Sequence, residues 1–345
     1  MSGQHKAVVL PQKGGPLAIE GRSTPHPGAN EYLVQVRAVA MNPIDYYQRD
    51  LGIPPISQYP TVLGGDVAGV IAEVGSGVEH PLKKGTRVIA GASAFWQNND
   101  PDYGAFQQYV LVSSGIVTTL PDEYTFEQGA VIPLAAITAL TAYFTVGISI
   151  DTKHSAQDKQ AYLVWGAASS VGTYAVQIAK AMGYTVYATA SSKNHEYIKS
   201  LGAHAVFDYN DNDVVDQIIM AVKNDGVKLA DAHMVVTGGL QPTLDVLKAT
   251  KGSAQARVAH APMLPADHPT LENTMIAFNF PPMDPGERAA FYKKCVHGWL
   301  AGALEAGSVV SSPPVELEGK GLESIDKALD AMKAGVSCRK IVVTI

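Results

Sequence analysis

The stretch Ala161–Gly172, AYLVWGAASSVG, has the residue types and spacing to hold a dinucleotide. Tyr162–Trp165 reads as a short buried strand, Gly166–Gly172 as a turn of small residues, and Thr173–Met182 has helical apolar spacing at Val176, Ile178, Ala179 and Met182. A strand, a tight turn and a helix in that order hold a pyrophosphate. Small side chains let backbone N–H groups approach, and the helix N-terminus favours negative charge. The G-x-G-x-x-G pattern is not intact, because ending it on Gly172 puts Ala167 and Ser169 where the first two glycines would stand. The same small residues would also permit close helix–strand packing with no ligand at all. What favours a ligand is the next strand, Thr185–Thr189, which ends at Ala190-Ser191-Ser192-Lys193, where the adenosine ribose would lie. An NAD site would put a carboxylate there. Two hydroxyls and a cation suit a 2′-phosphate instead, and predict NADPH. On this reading Gly166, Ala168, Ser169, Ser170, Val171 and Gly172 meet the pyrophosphate, and Ser191, Ser192 and Lys193, with Tyr209 after the third strand, take the 2′-phosphate. Thr237 and Gly238, at a later strand end, border the cofactor.

The elements that must position these residues fall into two rhythms. Residues 7 to about 130 read as short strands punctuated by Gly and Pro: Ala7–Leu10, Glu31–Val39, Gly69–Val74, Arg87–Ala90 and Phe106–Val112. Thr125–Ala142 is a helical region interrupted at Pro133. From Gln160 strands and helices alternate, which predicts a parallel sheet covered on both faces. Its strands are Tyr162–Trp165, Thr185–Thr189, Ala205–Asp208, Met234–Thr237 and Arg257–Ala261. Its helices are Thr173–Met182, Asn194–Leu201, Asn212–Val222 and Gln241–Ala249. Residues 262–285 are proline-rich and irregular around the apolar piece Met275–Phe280. A helix over Glu287–Ala306 and a final strand–helix–strand (Val309–Glu316, Leu322–Lys333, Lys340–Ile345) close the chain.

Bulk properties narrow the function class. At 345 residues and 46% hydrophobic, the chain is long enough for two domains with large cores. A net charge of −6 leaves no basic patch for nucleic acid or an anionic membrane. Two cysteines, Cys295 and Cys338, fit a reduced, cytoplasmic setting and cannot supply a multi-cysteine zinc site. No apolar run approaches a membrane span in length, and Met1–Lys6 has no signal-peptide core. His5, His26, His80, His154 and His260 form no metal pattern, and there is no G-x-S-x-G nucleophile elbow.

Further motifs resemble the medium-chain dehydrogenase/reductase superfamily over nearly the whole chain. They are Ala40-Met41-Asn42-Pro43-Ile44-Asp45, Leu63-Gly64-Gly65-Asp66-Val67-Ala68-Gly69-Val70, Val74-Gly75-Ser76-Gly77-Val78, Gly104-Ala105-Phe106-Gln107, Pro133 with Thr138-Ala139, and the 166–172 turn. The resemblance implies an α/β fold with two parts. One is a GroES-like β-rich catalytic domain over 1–135, rejoined by 309–345. The other is a Rossmann doubly wound parallel sheet over 136–308. In the zinc alcohol dehydrogenases of this superfamily a cysteine stands at the position of Asn42, and a His-Glu pair at Gly65-Asp66. The four-cysteine zinc lobe is replaced here by Phe95–Tyr103. Zinc needs Cys, His or carboxylate groups, so the resemblance is to the zinc-independent quinone- and enoyl-reductase branch. Within it, the Ser-Ser-Val-Gly turn is similar to that of the fungal CipB-like group and trans-acting enoyl reductases.

By that resemblance Asn42 and Pro43 line the nicotinamide pocket, Asp45 holds the turn, and Thr138 hydrogen-bonds near the nicotinamide. Arg339 and Lys340 reach the cofactor, or are an exposed basic pair. Ile132, Leu134, Phe278 and Phe280 are candidates for an apolar substrate wall, or are core. Tyr46, beside Asp45, is a candidate proton donor, with solvent as the alternative. The implied reaction is NADPH-dependent reduction of an activated double bond in an enoyl thioester or α,β-unsaturated carbonyl. Quinone reduction is the rival within enzymes, and an NADPH-binding protein without turnover is the rival outside them. The substrate is a small molecule or acyl thioester, and the resemblance admits a homodimer or a monomer.

Overall fold

The computed structural model describes residues 3–79, 81–92 and 94–345, so His80 lies outside the described residues. The chain divides into two units: Met1–Leu134 with Tyr292–Glu305 and Pro314–Ile345, and Ala135–Phe291 with Ala306–Pro313.

The first unit is built on a seven-stranded sheet. Val315–Lys320, Lys340–Thr344, Glu31–Ala40, Asp66–Val74, Arg87–Gly91 and Val117–Thr119 follow in that order, and Tyr109–Ser113 also pairs with Glu31–Ala40. A smaller sheet joins Ala18–Ser23, Gln4–Leu10 and Thr61–Val62. Alternating Val and Leu side chains along these strands bury one core that includes Val8, Leu10, Val36, Met41, Ile71 and Phe106. Two register facts matter for the site. Val342 pairs with Ala40, and Ala40 pairs with Asp66. Three strands far apart in sequence thereby bring Asn42, Asp66 and Lys340 to one end of the sheet.

The second unit is a six-stranded parallel sheet in the order Ala205–Phe207, Thr185–Thr189, Gln160–Trp165, Lys228–Met234, Ala256–His260, Thr274–Phe278. Helices Ser170–Ala181, Val214–Asp225 and Leu240–Thr250 lie among the connections. This is the Rossmann arrangement that the alternation predicts, and the first unit is the β-rich, GroES-like one.

Four expectations need correction. The fourth sheet strand is Lys228–Met234, not Met234–Thr237. Its Asp231 and His233 disguise it, because both are buried: Asp231 takes two bonds from Arg257 at 2.7 and 2.8 Å, and His233 meets Asn279. The strand expected over Val309–Glu316 is Val315–Lys320, since Pro313 and Pro314 bring no N–H to a ladder. The helix expected over Glu287–Ala306 runs without a gap through Pro285–Tyr292, Lys293–Leu300 and Ala301–Glu305, but its middle stretch is π-helical. Most of it belongs to the first unit, outside the 136–308 block, with His297 Nε2 bonded to the Ser114 carbonyl at 2.8 Å. Finally, Phe126–Thr145 is long and apolar enough by composition to cross a membrane, but it is mostly buried core and its two helices meet at Pro133.

Candidate active site

In the second unit the strand Gln160–Trp165 runs into Gly166, whose φ of +93° is a conformation that side chains rarely adopt. Gly166 N–H donates to Thr189 Oγ1 at 3.0 Å and Ala167 N–H to the Thr189 carbonyl at 2.8 Å, fastening the turn to the neighbouring strand. Ser169 caps the helix Ser170–Ala181, its Oγ accepting Gly172 N–H at 3.0 Å. Among the described residues, Ser170 and Val171 N–H are left without a protein acceptor at this helix start. Two free donors at a helix N-terminus fit a pyrophosphate. Gly172 serves differently from the expectation. Its N–H is spent on Ser169, and its value is the missing Cβ, which would lie 2.4 Å from the Gly166 carbonyl oxygen.

At the end of Thr185–Thr189, Ser192 and Lys193 are exposed, as is Tyr209, while Ser191 Oγ accepts from Asn194 Nδ2 at 3.1 Å. Asp208, which no motif singles out, lies against this loop. Its Oδ2 accepts Ser192 N–H at 2.8 Å and its Oδ1 accepts Asn210 N–H at 2.9 Å. The backbone donors of Asn210 and Ser192 hold its carboxyl below the usual carboxylate range. Asp208 therefore shapes the loop that presents Ser192 and Lys193. Thr237 is exposed three residues beyond its strand, and Gly238 follows at φ +80°.

Thr138 is half-buried on the helix Pro133–Thr145, and its carbonyl accepts Asn279 Nδ2 at 3.5 Å. Asn279 Nδ2 also lies 2.6 Å from His233 Nε2. His233 Nδ1 and Asn279 Oδ1 are buried with no partner. Burial, with a smaller contribution from His260, pushes the His233 imidazole down to about 3. It is a neutral core histidine that only the fold exposes to view. Phe278 and Phe280 are half-buried with rings stacked 6.1 Å apart, and Leu134 is half-buried. Ile132 is fully buried, so it is core and not a wall residue.

In the first unit a charged network is buried around Asn42. Asn42 N–H donates to Asp45 Oδ2 at 2.8 Å, fixing the start of the helix Pro43–Leu51. The Asn42 side chain turns away from that helix. Its Nδ2 donates to Asp66 Oδ2 at 2.8 Å and to the Ala40 carbonyl at 3.3 Å, while its Oδ1 accepts from Lys340 Nζ at 2.5 Å. Lys340 Nζ also lies 3.1 Å from Asp66 Oδ2, and Asp66 Oδ1 accepts Leu134 N–H at 2.7 Å. Lys340 is thus turned into the unit and committed to Asn42 and Asp66, whereas Arg339 is exposed. Burial and then Asp66 raise the Asp45 carboxyl to about 7, against the pull of the Asn42 N–H and Lys340. Tyr46 sits 4.5 Å from Tyr47, ring to ring, and burial together with Tyr47 pushes its hydroxyl up to about 12.

This set does not fit a zinc ion. A carboxamide and a glycine stand where thiolate and imidazole would be needed; Asp66 is already paired with an ammonium and Asp45 is taken up by the Asn42 N–H.

A family model described as the alcohol dehydrogenase GroES-like domain matches residues 28–122, and one described as zinc-binding dehydrogenase matches 170–252. The chain is 55% identical to the trans-enoyl reductase tndF of Aspergillus flavipes over 345 residues, 100% of both proteins. It is 60% identical to the trans-enoyl reductase tazE of Aspergillus terreus over 286 residues, 82% of this chain and 94% of that one. Among solved structures, a Pseudomonas syringae quinone oxidoreductase superposes with a TM-score of 0.74 at 23% identity, covering 99% of this chain and 100% of that one. With a Rossmann sheet, a GroES-like unit and full-length similarity of this degree, the chain belongs to the medium-chain dehydrogenase/reductase superfamily, as an oxidoreductase that works with a nicotinamide dinucleotide.

Proposed function

We propose that this protein is a cytoplasmic, NADPH-dependent, zinc-independent reductase of an activated carbon–carbon double bond, with an enoyl thioester as its substrate. The full-length match to a trans-enoyl reductase carries this reading. A bound dinucleotide would supply hydride for the β-carbon of the substrate, with a solvent proton at the α-carbon completing the saturated product. The chain's own work is binding and orientation. Ser170 and Val171 offer free N–H groups to the pyrophosphate, and Ser192, Lys193 and Tyr209 offer hydroxyls and a cation to the 2′-phosphate. Asn42, Pro43 and Thr138 are assigned to the nicotinamide end. Tyr46 stays protonated throughout the neutral range, so it suits donating a hydrogen bond to the developing enolate better than releasing its proton, which then comes from solvent.

NADPH consumption with a short 2-enoyl thioester, and in parallel with a simple quinone, tests the reading. Turnover of the thioester alone is the expected result. Turnover of the quinone alone would replace it with quinone reduction. Binding of NADPH without turnover of either would replace it with a binding protein. Tighter binding of NADH than NADPH would transfer the ribose contact from Lys193 to Asp208.

A further inference from the structure

The buried network says which kind of hydrogen bond Asn42 can make. A carboxamide has two N–H donors and an oxygen with two lone pairs. Both donors of Asn42 face acceptors, Asp66 Oδ2 and the Ala40 carbonyl, and its oxygen faces the donor Lys340. Those neighbours fix the amide orientation, because exchanging oxygen and nitrogen would set the carboxamide oxygen against a carboxylate and its NH2 against an ammonium. One lone pair on Oδ1 is all that remains. Asp66 is itself held by Leu134 N–H and Lys340, so it cannot release the Asn42 amide without breaking a buried ion pair.

We propose that Asn42 meets its ligand as a hydrogen-bond acceptor and not as a donor, with Lys340 and Asp66 as the positioning residues that impose this polarity. The inference rests on the assignment of Asn42 to the nicotinamide end of the site. Its partner there is the N–H of the nicotinamide carboxamide. Asn42 contributes no donor to the enolate, and that task falls to another group. Lys340 acts through Asn42 and does not touch the dinucleotide, which replaces the expectation of direct contact.

The test compares binding of reduced dinucleotide with its 3-acetylpyridine analogue, in which a methyl ketone replaces the carboxamide and no N–H is left. The expected result is that the wild type binds the analogue about three- to tenfold more weakly, the worth of one neutral hydrogen bond. Asn42→Ala binds both equally. Lys340→Arg, which keeps a cation beside Asn42, retains the discrimination, whereas Lys340→Met loses it, a pattern that mere loss of stability would not produce. Undiminished discrimination in Asn42→Ala would overturn the proposal, as would undiminished discrimination in Lys340→Met. Because the readout is binding, it stands even if neither the thioester nor the quinone is turned over. Failure of the reaction assignment and failure of this proposal are therefore separate results.

Discussion

Lys340 Nζ and Asn42 Oδ1 lie 2.5 Å apart, although 298 residues separate them in the chain. The same ammonium stands 3.1 Å from Asp66 Oδ2, and all three side chains are buried. Buried charge of this kind is costly to leave half-made. Lys340→Met should therefore destabilise the protein by about 3–5 kcal/mol, by stranding the Asp66 carboxylate. The double variant Asp66→Asn with Lys340→Met should lose less than Lys340→Met alone. Urea denaturation of the two variants measures the difference, and equal losses would mean that the stranded charge is not the cause.

Asp45 should make stability depend on pH in an unusual direction. Its folded value, about 7, is above its unfolded one, so the contribution is fully present below about pH 4 and is lost as pH rises through 7. The full span is worth on the order of 4 kcal/mol. Asp45→Asn keeps an acceptor for the Asn42 N–H and cannot ionise. Its stability relative to wild type should rise between pH 5 and pH 8, as read by denaturation at each pH.

His233 acts in the opposite sense. Its folded value, about 3, is below the unfolded one, so its contribution is present above about pH 6.5 and is lost as pH falls toward 3. By pH 5 the loss is about 2 kcal/mol. Between about pH 4 and 6.5 the two groups offset each other. In Asp45→Asn the compensation is gone, and that variant should lose stability on acidification more steeply than wild type over this window. Parallel pH profiles for the two proteins would count against the raised Asp45 value, whereas a flat profile in Asp45→Asn over this window would count against the buried, neutral state of His233.

Lys193→Ala should weaken NADPH by about tenfold and leave NADH unchanged, the loss expected for one charge-assisted contact to a 2′-phosphate. An unaltered affinity ratio would remove Lys193 from the cofactor site.

Gly172→Ala would place a Cβ 2.4 Å from the Gly166 carbonyl oxygen and 2.8 Å from Ala167 Cα, both backbone atoms. The helix start must then shift, and overpacking of this kind costs about 1–3 kcal/mol. Dinucleotide affinity should fall by about tenfold or more while the far-ultraviolet circular dichroism stays that of a folded protein. Wild-type affinity in this variant would mean that the helix start does not form the phosphate site.

What the chain alone determined is what local chemistry can specify. The apolar run Tyr162–Trp165, the small residues up to Gly172 and the helical spacing after them identify the phosphate-holding turn from its own residues. The strand Thr185–Thr189 stands where its β-branched pattern puts it. Local pattern fails where partners lie far away. Lys228–Met234 does not read as a central strand, because Asp231 and His233 are acceptable there only once Arg257 and Asn279 arrive to satisfy them. Asp208 reads only as the end of a strand until the parallel pairing sets Ala205–Phe207 beside Thr185–Thr189 and brings Ser192 N–H to its carboxylate. Lys340 reads, with Arg339, as a cofactor contact or as half of an exposed basic pair. The tertiary structure decides otherwise, because pairing Val342 with Ala40, and Ala40 with Asp66, is a choice of register among distant strands. That register turns an ammonium, a carboxylate and a carboxamide into one buried unit.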